Sequence, residues 1–147
     1  MKTRVVHTKI WKDNYTFLLN DKEFRVFMFL LFNDQINMIG VYELRNEEIQ
    51  LWCKLKPEEL KPILAKFEKD KRFVFKDGWV VVLNHGKYNN YGNGLLQRKA
   101  FTRELTLVPN NIKHYLNTSI HTDTILDINK KSEIINNNTE TINTERV

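Results

Sequence analysis

The side chains with most to offer chemically are cations. Lys54, Lys56, Lys61, Lys69 and Lys76 crowd one stretch of the chain, and Lys87, Arg98 and Lys99 follow. Ammonium and guanidinium groups spaced along a helix and its neighbouring turn attract phosphate. Lysine does this as a point charge and reads base edges poorly, so the pattern implies affinity that falls steeply with salt and modest sequence preference. Other reactive types are scattered. His7, His85, His114 and His121 form no pair with ligand spacing, so no metal is expected. Cys53 falls on an apolar face, the position of a small buried thiol rather than a nucleophile. Gly86, Gly92 and Gly94 make no phosphate-binding fingerprint. No Ser/His/Asp set or carboxylate pair stands out, so neither an enzyme nor a cofactor is expected. Trp11, Trp52 and Trp79 are too far apart for a stacking platform: Trp52 and Trp79 read as core, and Trp11 as a residue packing the N-terminal arm.

The charge has a location. The 147 residues carry a net +5. Residues 1–117 hold 20 basic and 13 acidic side chains, whereas 118–147 hold three and five. The longest apolar run, Val26 to Phe32, is far too short to span a membrane, and no secretory signal is expected at the N-terminus. One cysteine excludes an internal disulfide framework and a cysteine-built zinc site, and an intracellular, reducing location is the simplest reading. The segment 118–147 lacks Gly, Pro and aromatic residues and is rich in Asn, Thr and Ile, which predicts a disordered tail.

These cations need elements to hold them. Asn20 with Glu23 predicts a capped helix over 21–32, apolar on most sides. A strand is expected over 38–42. Asn46 is expected to cap a short helix over 47–53, with Ile49, Trp52 and Cys53 on one face. Pro57 suits the first turn of a helix over 57–70, with Leu60, Ile63, Leu64 and Phe67 as its stripe. Pro62 conflicts with that helix and predicts a kink or a start nearer Glu59. Two β-rich runs, 73–76 and 79–83, flank Asp77-Gly78, a strong hairpin signal. A loop over 84–94, a helix over 95–107 and a short helix after Pro109 complete the body.

Two helices joined by a short turn and followed by a hairpin predict an α+β, mainly helical fold: a winged helix-turn-helix over 1–94, a C-terminal helical extension over 95–117 and a disordered tail. In that geometry the helix over 57–70 offers Glu58, Lys61, Ala65 and Lys69 to a groove. Lys54 and Lys56 lead into it, Lys71, Arg72 and Lys76 belong to the wing, and Lys87, Arg98 and Lys99 follow. Exposed lysines are also the ordinary solvated face of a helix. An oligomerisation or docking module of the same fold, or a winged-helix transcriptional repressor, therefore stays open.

The ordered motifs resemble one family. They are Thr8-Lys9-Ile10-Trp11-Lys12-Asp13, Ile39-Gly40-Val41-Tyr42-Glu43-Leu44, Leu64-Ala65-Lys66-Phe67-Glu68-Lys69-Asp70-Lys71, Asp77-Gly78-Trp79, Asn84-His85-Gly86-Lys87-Tyr88 and Leu105-x-x-Val108-Pro109. Together they are similar to replisome-organiser proteins of phages and prophages of low-GC Gram-positive bacteria, relatives of the N-terminal domain of DnaD-type primosome proteins. The resemblance covers about residues 4–117. It implies a winged helix that binds double-stranded origin DNA and recruits a helicase or its loader. Members often continue into a second helical domain, where this sequence has its low-complexity tail. The resemblance also leads one to expect a glycine-containing turn where Lys71-Arg72 stands.

Overall fold

A computed structural model describes residues 3, 4, 6–83, 85 and 94–116. The predicted tail over 118–147, Lys87 and most of the 84–94 loop lie outside the described residues. The chain is α+β and mainly helical, with one three-stranded antiparallel sheet.

Two short helical pieces that the sequence reading did not expect open the described chain: a 3-10 helix, Thr8–Lys12, and α1, Asn14–Leu18. The expected capping box starts α2, Asp21–Phe32: Glu23 N–H donates to Asn20 Oδ1 at 2.9 Å, and Asn20 N–H donates to Glu23 Oε2 at 3.3 Å. β1 is Val41–Glu43, shorter than the expected 38–42. Gly40 has a φ of +69° and its N–H closes back on Asn37 O, so the residues before it turn instead of extending.

α3 spans Asn46–Cys53. Arg45, not Asn46, is its N-cap: Glu48 and Ile49 N–H both donate to Arg45 O, which draws Asn46 into the first turn. α4 spans Pro57–Lys69. It begins at Pro57 rather than nearer Glu59 and continues through Pro62. Pro62 and Glu58, whose carbonyl the proline leaves without its helical donor, are both exposed residues. At the far end Arg72 N–H reaches Phe67 O at 2.9 Å and Lys71 N–H reaches Glu68 O at 3.0 Å, a Schellman closure with Lys71 in the left-handed region. β2, Phe73–Lys76, and β3, Trp79–Val82, flank Asp77 and Gly78, both at positive φ as a two-residue hairpin requires. α5, Leu95–Thr106, and α6, Asn110–Leu116, follow.

The strand order is β1–β3–β2. Register puts Tyr42, Val80 and Phe75 on one face and Val41, Val81 and Val74 on the other. The first face packs on α2, α3 and α4, where Phe27, Phe67 and Phe73 meet with ring centroids 5.6–5.7 Å apart. The second face packs on Phe101 of α5 and Ile112 and Leu116 of α6. Packing therefore runs across position 94: the last two helices cover the sheet. Both free edges are closed by side chains. The Asn37 amide bonds both backbone groups of Val41, and Glu68 accepts from Phe75 N–H at 2.9 Å.

Candidate nucleic-acid interface

α4 buries Leu60, Ile63 and Phe67, and this leaves Glu58, Lys61, Ala65 and Lys69 in water. The turn that feeds it is three residues long, because Lys54 takes a left-handed φ of 57° and lets Leu55 N–H return to Gln50 O at 3.0 Å. Lys54 and Lys56 are exposed on that turn, Lys71 at the exit of α4, and Lys76 at the end of β2. One helix, its two ends and the hairpin packed beside it thus carry all six lysines.

Between Lys54 and Lys76 there are eight basic and four acidic residues. Three of the acids are engaged by the protein itself. Glu59 binds Lys22 at 2.6 Å and accepts from Lys56 N–H at 2.9 Å, and these bonds hold its carboxyl below the usual carboxylate range. Glu68 caps Phe75, and Asp70 accepts from the Tyr15 hydroxyl at 2.8 Å. Only Glu58 presents a carboxylate on the outer face without such a bond to a described residue. Two of the bases are likewise engaged. Lys66 pairs with Glu23 at 2.7 Å, and the Arg72 guanidinium lies 4.0 Å over the Tyr15 ring. Arg72, expected to serve the wing, holds the N-terminal segment instead. Burial, with the Asp70 bond second, raises the Tyr15 phenol above its ordinary range, so that contact stays neutral at the tyrosine. The remaining six, Lys54, Lys56, Lys61, Lys69, Lys71 and Lys76, are exposed and make no ion pair with a described residue.

Arg98 and Lys99 are exposed on α5, which packs on the opposite face of the sheet from α4. The structure does not bring them to the α4 face. Lys87 lies outside the described residues.

The tryptophans differ from expectation. Trp79 is half-buried against the second face of the sheet. Trp11 rests 6.1 Å from the Phe24 ring yet is largely exposed. Trp52, expected in the core, is 67% exposed. Ile49 and Cys53 fill the narrow buried arc of α3, and Trp52 projects about 100° around the helix from Cys53. That angle was available in the sequence. Lys71, expected in the wing, is exposed at the left-handed exit of α4, just before β2.

Burial raises the Cys53 thiol, against a smaller opposing effect of Arg25, which keeps it protonated and unreactive. Among the described residues no three His, Cys, Asp or Glu side chains gather as a metal site, and no helix is long and apolar enough to cross a membrane. No protein-family model, curated protein or solved structure matches the chain.

Proposed function

We propose that this chain is a winged-helix DNA-binding protein acting in phage or prophage replication initiation, with duplex DNA on the outer face of α4. The helix order, the β1–β3–β2 sheet and the Asp77-Gly78 hairpin support the winged-helix reading. The replication setting, in a bacterial cytoplasm, and the recruitment of a helicase or its loader rest on the motif resemblance. The observation that carries DNA binding is the set of six exposed lysines, none in an ion pair with a described residue, against three exposed carboxylates of the same stretch, Glu58, Glu68 and Asp70. Exposed residues of α4 include no Arg, Asn or Gln, the types that read base edges bidentately, so phosphate contacts dominate and sequence preference is modest.

A fluorescence-anisotropy titration with duplex tiled across the neighbouring genome segment tests the reading. Absence of duplex binding at about 50 mM salt would sink it. A second reading, a docking or self-associating module, is favoured by Phe17 and Leu18, which α1 leaves 81% and 69% exposed. A tight oligomer insensitive to Lys54/Lys61/Lys69→Glu, but broken by polar substitution at Phe17 and Leu18, would favour it.

A further inference from the structure

We propose that Trp52 and the α3–α4 turn form a stacking site for an unpaired nucleic-acid strand next to the duplex-binding face. This rests on the reading of α4 given above.

The buried side of α3 is complete: Ile49 and Cys53 are closed off from solvent. Its outer side nevertheless ends in Leu51 and Trp52, both more than half exposed. A large indole left in water at the end of a well-packed helix has no folding role on that side. Two residues further on, Lys54 leaves the helix in the left-handed conformation, and Lys56 follows, both exposed. An apolar ring beside phosphate-seeking cations is the combination that unpaired strands use: the base takes the ring face and the backbone takes the charge.

Duplex DNA does not fit the indole as well. Its base faces are already stacked, and it presents only edges and phosphates. Charge sets the direction of the strand. Glu47 and Glu48 occupy the first turn of α3 and repel phosphate there, whereas Lys54 and Lys56 draw it toward the start of α4. A strand stacked on Trp52 would run onto the surface where Lys61 and Lys69 hold duplex. The ligand of this site is therefore the junction between duplex and single strand, as produced when a duplex opens.

The test uses the full chain and two labelled DNAs: a blunt duplex, and the same duplex extended by an unpaired oligothymidine tail. The tail should tighten binding about five- to 150-fold, the range of one stacked base. Trp52→Ala should remove that gain and leave blunt-duplex affinity unchanged, and Trp52→Tyr should keep most of it. A tail that adds nothing, or a Trp52→Ala loss equal on both DNAs, overturns the stacking site while the duplex reading stands. Binding of the tailed DNA and of free oligothymidine without binding of blunt duplex, again lost in Trp52→Ala, supports the site and overturns the duplex reading. Light scattering adds the remaining outcome. An oligomer that Trp52→Ala converts to monomer, with no tail effect, assigns the indole to a protein contact and overturns the proposal.

Discussion

Neutralising Lys54, Lys61 and Lys69 together as glutamine tests the α4 face most directly. Six lysines are exposed there without an ion pair to a described residue. If all six displace counterions, the log–log dependence of affinity on salt has a slope of about −5.4. Raising salt from about 50 to 200 mM then weakens binding by about 2,000-fold. With three contacts removed the slope falls to about −2.7, and the same change in salt weakens binding by only about fortyfold. Glutamine removes charge without adding repulsion, and all three side chains lie in water, so the fold should persist. Arg98→Gln with Lys99→Gln is the matched control. Those residues sit across the sheet on α5, so the slope should stay at about −5.4. Anisotropy titrations at four salt concentrations for the three proteins give the slopes. An unchanged slope in the triple variant, or an equal fall in the α5 variant, refutes the assignment.

Lys71→Gly should stabilise the protein by up to about 1 kcal/mol, because Lys71 holds a φ of 55° where glycine is unstrained; it should also reduce the salt slope by about one, and chemical denaturation plus titration read both. Gly40→Ala should destabilise by about 3 kcal/mol, combining a φ of +69° with a Cβ placed 2.5 Å from the His85 ring. Gly78→Ala, at φ +80° with nothing within 4 Å, should lose only about 1 kcal/mol, so equal melting temperatures for the two variants would contradict the clash. Stability should begin to decline at about pH 9, where the Cys53 thiol ionises in the unfolded chain before it does in the buried site, and decline more steeply above about pH 10. The buried Tyr42 phenol donates to Leu30 O and accepts from Asn33, and burial raises it above its ordinary range. The unfolded chain therefore releases that proton first as pH rises. Tyr42→Phe should make the decline above about pH 10 shallower in urea midpoints, with Tyr15 and Cys53 supplying the remainder; parallel curves would count against it.

Elements with local signals were legible in the sequence. The Asn20 capping box, Pro57 at the head of α4 and the Asp77-Gly78 turn each involve residues within four positions of one another, and each is where it was expected. The pieces before α2 were not legible, because Asn14–Leu18 is too short to display a period. The N-terminal segment is held from afar, by Tyr15 meeting Asp70 and Arg72. The placement of α5 was not legible either. Val80 and Val81 are adjacent in sequence yet face opposite cores, and which helices cover which face is decided only by tertiary packing.

The same distinction separates a count of charges from a surface. Eight bases and four acids between Lys54 and Lys76 describe a mildly positive stretch and no particular partner. Folding decides which of these charges a ligand meets. Glu59 is drawn into a pair with Lys22, while Glu68 and Asp70 accept from Phe75 N–H and Tyr15, uncharged donors that leave their charge in place. Lys66 and Arg72 are withdrawn as well, leaving six outward lysines and the exposed Glu58, Glu68 and Asp70. Two of the six, Lys54 and Lys71, stand at opposite ends of α4 in left-handed backbone that glycine would occupy with less strain. Local stability does not favour lysine at either position. A polyanion following α4 from one end to the other would favour it at both, and this is why the Lys71→Gly variant should gain in stability what it loses in affinity.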